Sequence, residues 1–353
     1  MNWKKIQSEL ELMIEQIKSK EFQYTPKEPQ KRNWAAYETA QKNEIDDMLS
    51  LMRLFVNRAA QETGLANTNR SPQKQGRPAL NHTDLTKRLL LQQYLSLSNR
   101  KACGEITTYR EQLEIQTSCS YKSIERGYEK PDVILLLVKV FRYTQEPISK
   151  LESIFTTDGT GLSTSMKQNW ESDKQSKDKA KKMKGYEKVI LTGGCRYLLV
   201  SGFEVTENPS SNESPYLSMC LDQTAHYYES IDSALGDAAY LSRSNCQHIG
   251  ILGGEPRLML KRGISLKQKG VKEWTDMLLK FLNDPQKWLE EYHQRSKSET
   301  INSVLKRDFP KPLMRKIKIR RLFEVLIRLC LYNLKRLCYL QYLSDIVIYR
   351  KET

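Results

Sequence analysis

The chain is poor in the residues from which most metal and redox sites are built. Its 353 residues include four His and seven Cys. The cysteines, at 103, 119, 195, 220, 246, 330 and 338, are scattered, and no two form a Cys-x-x-Cys pair. That spacing argues against a zinc finger or ribbon, and an odd, unpatterned cysteine count suits a reducing cytosol. A long apolar run is also missing. The opening, MNWKKIQSELELMIEQIKSK, has no signal-peptide core, and the stretch from Val133 to Val138 is far too short to span a bilayer. Neither the GTG at 159–161 nor the TGG at 192–194 is followed by a Walker lysine, and no Gly-x-Ser-x-Gly elbow occurs. These gaps set aside a phosphate-cradling nucleotide loop and serine-hydrolase chemistry.

Positive charge is abundant. Lys and Arg number 57 against 42 acidic residues, a net charge of +15, with 39% hydrophobic residues. The chain is too apolar to be disordered and too charged for a membrane bundle. Length gives a soft expectation of two domains with a sizeable core. The charge makes a polyanion the first partner to consider. Nucleic acid is preferred to a membrane surface because no lipidation motif accompanies the charge.

Residues 1–150 read as helical, with apolar residues at helical spacing in NWKKIQSELELMIEQI, YETAQKNEIDDMLSLMRLFVNRAAQE and KPDVILLLVKVFRYT. The Gly-, Pro- and Asn-rich stretch 64–83 is a loop, and Thr83 or Asp84 would cap the helix that follows. The texture changes near residue 150. SIFTTDGTGLSTS is β-branched and leads to a strand end at Asp158-Gly159, and EKVILTGGCRYLLVSGFEVTEN reads as two strands around Gly193 and Gly194. A loop, a helix over YLSMCLDQTAHYYE, a short strand in IDSALGDAAY and another in PRLMLKRG come next. From about 272 the pattern is helical to about 343. The order predicts an α/β layered core behind a helical lead-in.

Three acidic positions stand out. In YHQRSKSETINSVLK, Tyr292, Arg295, Glu299 and Lys306 fall within an arc of roughly 60° if 292–306 is one helix. Ile301, Val304 and Leu305 then lie on the opposite face, able to pack on a sheet. Asp158 and Asp237 each sit where a short strand ends. Taken singly, each has a plainer reading: an i, i+4 ion pair for Arg295 and Glu299, a turn aspartate for Asp158, a helix N-cap for Asp237. Together, two strand-end aspartates and a helical glutamate can converge at one sheet edge. Three carboxylates repel unless a cation lies between them, and Mg2+ prefers such oxygens. Two ions about 4 Å apart can serve an in-line phosphoryl displacement.

With these residues the chain resembles the insertion-sequence transposases of the DDE type. Their helix signature, Tyr-(2)-Arg-(3)-Glu-(6)-Lys, is matched by Tyr292, Arg295, Glu299 and Lys306. TTDGTGLSTS resembles the family's first-Asp strand, GDAAYLSRSN its second, and FEVTENPSSNESPYL the segment leading to the second. The likeness covers about 150–343 and extends loosely into 33–150 through NWAAYETAQKNE and GRPAL. It departs at Ala238, where many relatives carry Lys, and at Thr156 and Thr157, which make the first strand less hydrophobic than usual.

The resemblance implies a ribonuclease-H-like mixed sheet flanked by helices, preceded by an all-helical N-terminal region. Residues 1–150 would bind DNA ends, 151–343 would form the catalytic domain, and 344–353 a tail. Asp158 would bridge two Mg2+ ions (Mn2+ substituting), and Asp237 and Glu299 would each hold one. Arg295 and Lys306 would contact end phosphates and Tyr292 would position the DNA. Lys297 and Arg307 belong to a run, 295–321, with ten basic residues against two acidic ones, which reads as a phosphate-tracking groove. A second lysine cluster covers 174–188. Within the front, Arg70, Lys74, Arg77, Arg100 and Lys101 are candidate contacts if a helix there enters the major groove; a dimerisation or packing domain is the competing reading.

The implied activity is metal-dependent cleavage at transposon ends followed by strand transfer. The partners would be end and target duplex DNA, with a dimer assembled on DNA, no membrane, no nucleotide cofactor, and action in the prokaryotic cytoplasm. The alternatives are an inactive DNA-binding remnant, or a nuclease with the same core and no strand transfer.

Overall fold

The structure is a computed structural model and describes residues 3–22, 33–67, 81–105, 107–167 and 184–348. Helices α1 (Trp3–Lys18), α2 (Trp34–Glu62), α3 (His82–Tyr94), α4 (Asn99–Glu105), α5 (Tyr121–Gly127) and α6 (Pro131–Tyr143) come first. Strands β1 (Ile154–Lys167), β2 (Lys184–Gly194) and β3 (Val200–Val205) follow, then α7 (Tyr216–Tyr227), β4 (Ser233–Gly236), α8 (Arg243–Ile251) and β5 (Glu255–Leu258). The chain closes with α9 (Lys272–Asn283), α10 (Pro285–Tyr292), α11 (Ser296–Asp308) and α12 (Lys318–Leu343). The strand and helix order is the one the sequence predicts.

The chain divides into two compact units. One comprises Met1–Arg32, Ile148–Gly161 and Lys188–Ser303; the other comprises Asn33–Pro147, Leu162–Glu187 and Val304–Thr353.

The five strands form one mixed sheet in the order β3-β2-β1-β4-β5. β2 and β3 are antiparallel, as suits the short connection 195–199; Gly193 and Gly194 close β2, with Gly193 paired to Val200. β1 pairs parallel with β4, from Ile154 opposite Ser233 to Thr157 opposite Gly236, and β4 pairs parallel with β5. Every residue of β4 is buried, and its sequence, Ser-Ala-Leu-Gly, suits a strand covered on both faces. In this first unit α7 packs on β3, while α8 and α9 pack on β5. Gly202 permits the β3–α7 approach, because a Cβ there would run into the Cys220 carbonyl. α1 also belongs here. It packs on α9, and Gln7 both donates to the Ile264 carbonyl at 2.8 Å and accepts from the Leu266 N–H at 2.9 Å.

The second unit is built around α2, α3, α6 and α12, which pack on one another. The sequence KPDVILLLVKVFRY places Pro131 at the start of α6, where its missing N–H is harmless, and buries Val133, Leu136, Leu137 and Val140. α12 buries nearly all of its middle, including Glu324, Arg328 and Asn333.

Four details differ from the sequence reading. The cap of α3 is Asn81, whose side chain accepts from the N–H groups of Thr83 and Asp84; Asp84 instead accepts from the N–H groups of Gln116 and Thr117. β1 does not end at Asp158-Gly159 but runs on to Lys167, since an extended Gly needs no turn. The 272–343 stretch is not one helical run. Residues 309–317 are non-helical, as Pro310 and Pro312 remove the N–H groups a helix would need, and Leu313 bridges to Thr164. Finally, 292–306 is broken by a 3-10 turn at His293–Arg295, so Tyr292 ends one helix and Glu299 sits in the first turn of the next. All seven cysteines are free. Among the described residues no helix is long and apolar enough to cross a membrane.

Candidate active site

The first unit brings Asp158 and Asp237 together through the sheet. Thr157 and Gly236 are the last paired residues of β1 and β4. Asp158, within β1, and Asp237, the residue after β4, each follow the last pair of two adjacent parallel strands, whose spacing is about 4.8 Å. Thr157 is locked from the other side by a 2.6 Å hydroxyl contact with Thr192 of β2. Asp237 also caps the short turn Ala238–Tyr240, accepting from the Ala239 N–H at 2.7 Å. The plain N-cap reading of Asp237 thus holds alongside its place beside Asp158.

Burial raises the Asp158 carboxyl above the usual aspartate range. The positive Arg295 opposes that rise, whereas Asp237 and Glu213 add to it. Asp158 Oδ2 accepts from the Asn302 side-chain amide at 3.1 Å.

Glu299 reaches this neighbourhood by a different route. Its carboxylate pairs with Arg295 at 2.6 Å, the i, i+4 pair expected from spacing, and its side chain remains 64% exposed. Arg295 is held from behind, because its carbonyl accepts from Ser298 Oγ at 2.8 Å and Thr156 Oγ1 at 3.4 Å. Its Nε is buried without a hydrogen-bond partner. The guanidinium thus pairs with Glu299 while its charge acts on Asp158.

Tyr292 records the field of all three acids. Burial pushes its phenol up to about 12; Arg295 lowers it, and Asp237, Glu299 and Asp158 each raise it. The ring stacks on Trp288 at 5.3 Å between centroids, and the residue is only 6% exposed. Tyr292 is therefore a packed residue beneath the carboxylates, not an open surface. On α11, Ile301 is buried and lies against Gly193 of β2. Leu305 is buried too, while Val304 is half-buried.

Two residues at this site were not singled out from sequence. Glu213 pairs with Lys188 at 2.7 Å and accepts from the Tyr240 hydroxyl at 3.0 Å. Its carboxylate lies so close to Gly159 that a Cβ there would meet it at 2.7 Å. Asn302 is the other. Neither has a compositional signal. Glu213 lies in the Asn-Glu-Ser-Pro loop of the segment already compared with the family, and Asn302 lies three residues after Glu299, on the same helix face.

The donor chemistry suits a divalent cation in part. Asp158 and Asp237 offer adjacent hard oxygens whose repulsion Arg295 opposes, and the Asn302 Oδ1 is a buried oxygen without a partner. Among the described residues, no group of three His, Cys, Asp or Glu side chains closes into a metal-holding cluster. Glu299 is paired with Arg295.

The other expected DNA contacts are distributed unevenly. Lys297, Lys306 and Arg307 are exposed on α11, and Arg100 and Lys101 on α4. Arg70, Lys74 and Arg77 lie outside the described residues, as does most of the 174–188 lysine cluster. The basic run 295–321 is not a uniform cationic groove. Arg315 is paired with Glu125 and lies near the buried Glu324, Arg320 binds Glu125 and Glu129, and Arg321 binds Glu187. These cations are neutralised by the chain's own acids, which come from distant sequence positions.

A five-stranded mixed sheet flanked by helices, with aspartates just beyond the last paired residues of two adjacent parallel strands and an Arg-Glu pair at the start of a later helix, is the ribonuclease-H-like α/β arrangement expected above. Residues 149–334 match the family described as transposase DDE domain, and the chain belongs to that family. No curated protein matches the chain.

Proposed function

We propose that the chain is a DNA transposase that cleaves a phosphodiester at the ends of a mobile element and joins the freed end to target DNA. The observation that carries this reading is the register that puts Asp158 of β1 and Asp237, just past the end of β4, each one residue beyond the last β1–β4 pair, with Arg295 and Glu299 sharing their electrostatic field.

Asp158, Asp237 and Glu299 would hold divalent cations, with Mg2+ as the natural ion and Mn2+ as a substitute. Bound there, the cations supply Lewis-acid stabilisation of the attacking and leaving oxygens. The chain's own groups do the rest. Burial raises the Asp158 carboxyl, and a cation held there would relieve its repulsion with Asp237. Glu299 would be one of the residues holding such a cation, and the Arg295 guanidinium, now paired with Glu299, is of a kind that can grip a backbone phosphate in bidentate fashion. Tyr292 stays neutral at physiological pH and supports Arg295 by packing. Lys297, Lys306 and Arg307 contact the sugar-phosphate strand without reading bases.

In the first step a water oxygen bonds to phosphorus, the P–O3′ bond breaks, and the 3′-oxygen takes up a proton. In the second, that 3′-hydroxyl loses its proton to solvent and bonds to a target phosphorus, expelling the target's own 3′-oxygen. The helical residues 1–150 would bind the element's ends, 151–343 would carry the chemistry, and a dimer on DNA would bring two ends together in the cytoplasm.

The test is incubation of the full chain with a duplex bearing the ends of its element and a target plasmid, in Mg2+, in Mn2+ and in EDTA. End cleavage and joined product that need a divalent ion and vanish in Asp237→Asn support the reading. Cleavage without joined product identifies a nuclease. Salt-sensitive binding with no cleavage in either metal identifies an inactive remnant.

A further inference from the structure

Among the described residues, the one side-chain hydrogen bond that reaches Asp158 comes from Asn302, at 3.1 Å. An ionised carboxylate only accepts, so the amide nitrogen must face Asp158, and the Asn302 carbonyl oxygen must point elsewhere. That oxygen, Oδ1, is buried and has no hydrogen-bond partner. A buried acceptor left unpaired is a cost that folded chains rarely carry. Asn302 follows Glu299 by one helical turn, so the same face of α11 that offers Glu299 also grips Asp158. The side chain therefore ties the helix to the strand at the point where their two carboxylates must be brought to one ion.

We infer that Asn302 is a positioning residue of the proposed metal site: its amide fixes the orientation of Asp158, and its unpartnered oxygen is the acceptor that a bound ligand shell completes. This rests on the reading of Asp158, Asp237 and Glu299 as cation holders. It adds a fourth side chain, one that acts through Asp158 rather than on the DNA. Groups that orient metal-holding carboxylates typically account for tenfold to a hundredfold in metal affinity.

The experiment is isothermal titration of the metal-free full chain with MnCl2, alongside thermal melts with and without Mn2+. Five proteins are compared: wild type, Asn302→Ala, Asn302→Asp, Asp158→Asn and Glu299→Gln. Asn302→Ala is expected to weaken Mn2+ binding by about tenfold to a hundredfold. Asn302→Asp places another carboxylate beside Asp158, so its metal-free melt falls, and Mn2+ restores it by a larger increment than it gives the wild type. A side chain that only packs would leave the Mn2+ increment unchanged.

Asn302→Asp carries the test if the alanine variant does not fold. Wild-type Mn2+ affinity in Asn302→Ala, with affinity lost in Asp158→Asn and Glu299→Gln, overturns this inference alone. No Mn2+ binding by the wild type, or binding indifferent to Asp158 and Glu299, overturns the metal site and this inference with it.

Discussion

Replacing Glu299 by Gln separates chemistry from folding more cleanly than any other single change. The substitution removes one charge and keeps the shape. Its structural cost is small. The Arg295–Glu299 pair spans one helical turn at 2.6 Å, but the Glu299 side chain is 64% exposed and screened by solvent. Such pairs contribute at most about 0.5 kcal/mol. At about 2–4 °C per kcal/mol for a protein of this size, the melting temperature should fall by no more than about 2 °C.

The catalytic cost is of a different order. A lost metal ligand forfeits several kcal/mol of transition-state stabilisation, and about 4 kcal/mol corresponds to roughly a thousandfold in rate. The assay pairs single-turnover end cleavage in Mg2+ with end binding in Ca2+ and a thermal melt. The expected result is cleavage down by about three orders of magnitude, with binding retained and the melt nearly unchanged. Cleavage within about tenfold of wild type would refute the ligand role, since that is only about 1.4 kcal/mol. A melt lowered by many degrees would refute the energetic reasoning, because it would make Glu299 a structural residue.

Two further outcomes concern stability. Glu324 is fully buried, pairs with Arg328 at 2.9 Å and accepts from the N–H groups of Met314 and Arg315; Glu324→Ala leaves those cations and donors uncompensated and should destabilise the chain by about 3 kcal/mol, read by urea unfolding. The buried Glu152 carboxyl is raised by burial, against the opposing N–H donors of Tyr197 and Arg196. With the folded pKa above the unfolded one, the native state holds the proton longer, so stability falls as pH rises from the ordinary glutamate range through that raised value. Glu152→Gln should remove this slope, and an unchanged pH profile of unfolding would show that the carboxyl titrates normally.

The sequence by itself determined the ladder of elements. Hydrophobic period, β-branched stretches and turn residues are local signals, and they placed β1 to β5, α7, and the Asp158, Asp237 and Glu299 positions in order. The Arg295–Glu299 pair was legible for the same reason, because an i, i+4 relation is local in sequence. Local signals also misled where a neighbour overrode them. The Asp-Gly pair at 158–159 looked like a turn, but β1 runs through it, and the run 292–306 looked like one helix, but it breaks at His293.

Only the tertiary structure decided which residues meet. The parallel register of β1 and β4 made neighbours of Asp158 and Asp237, which lie 79 positions apart in the chain. Packing took Tyr292 into the core beside Trp288 and brought Asn302 and Glu213 to Asp158. Long-range ion pairing spent Arg315, Arg320 and Arg321 on Glu125, Glu129 and Glu187, so the C-terminal part of a basic run visible in the sequence is neutralised in the fold. Spacing along a chain fixes what a residue can do within one element. Charge compensation and burial depend on what other elements bring to it, and that information exists only once the chain has folded.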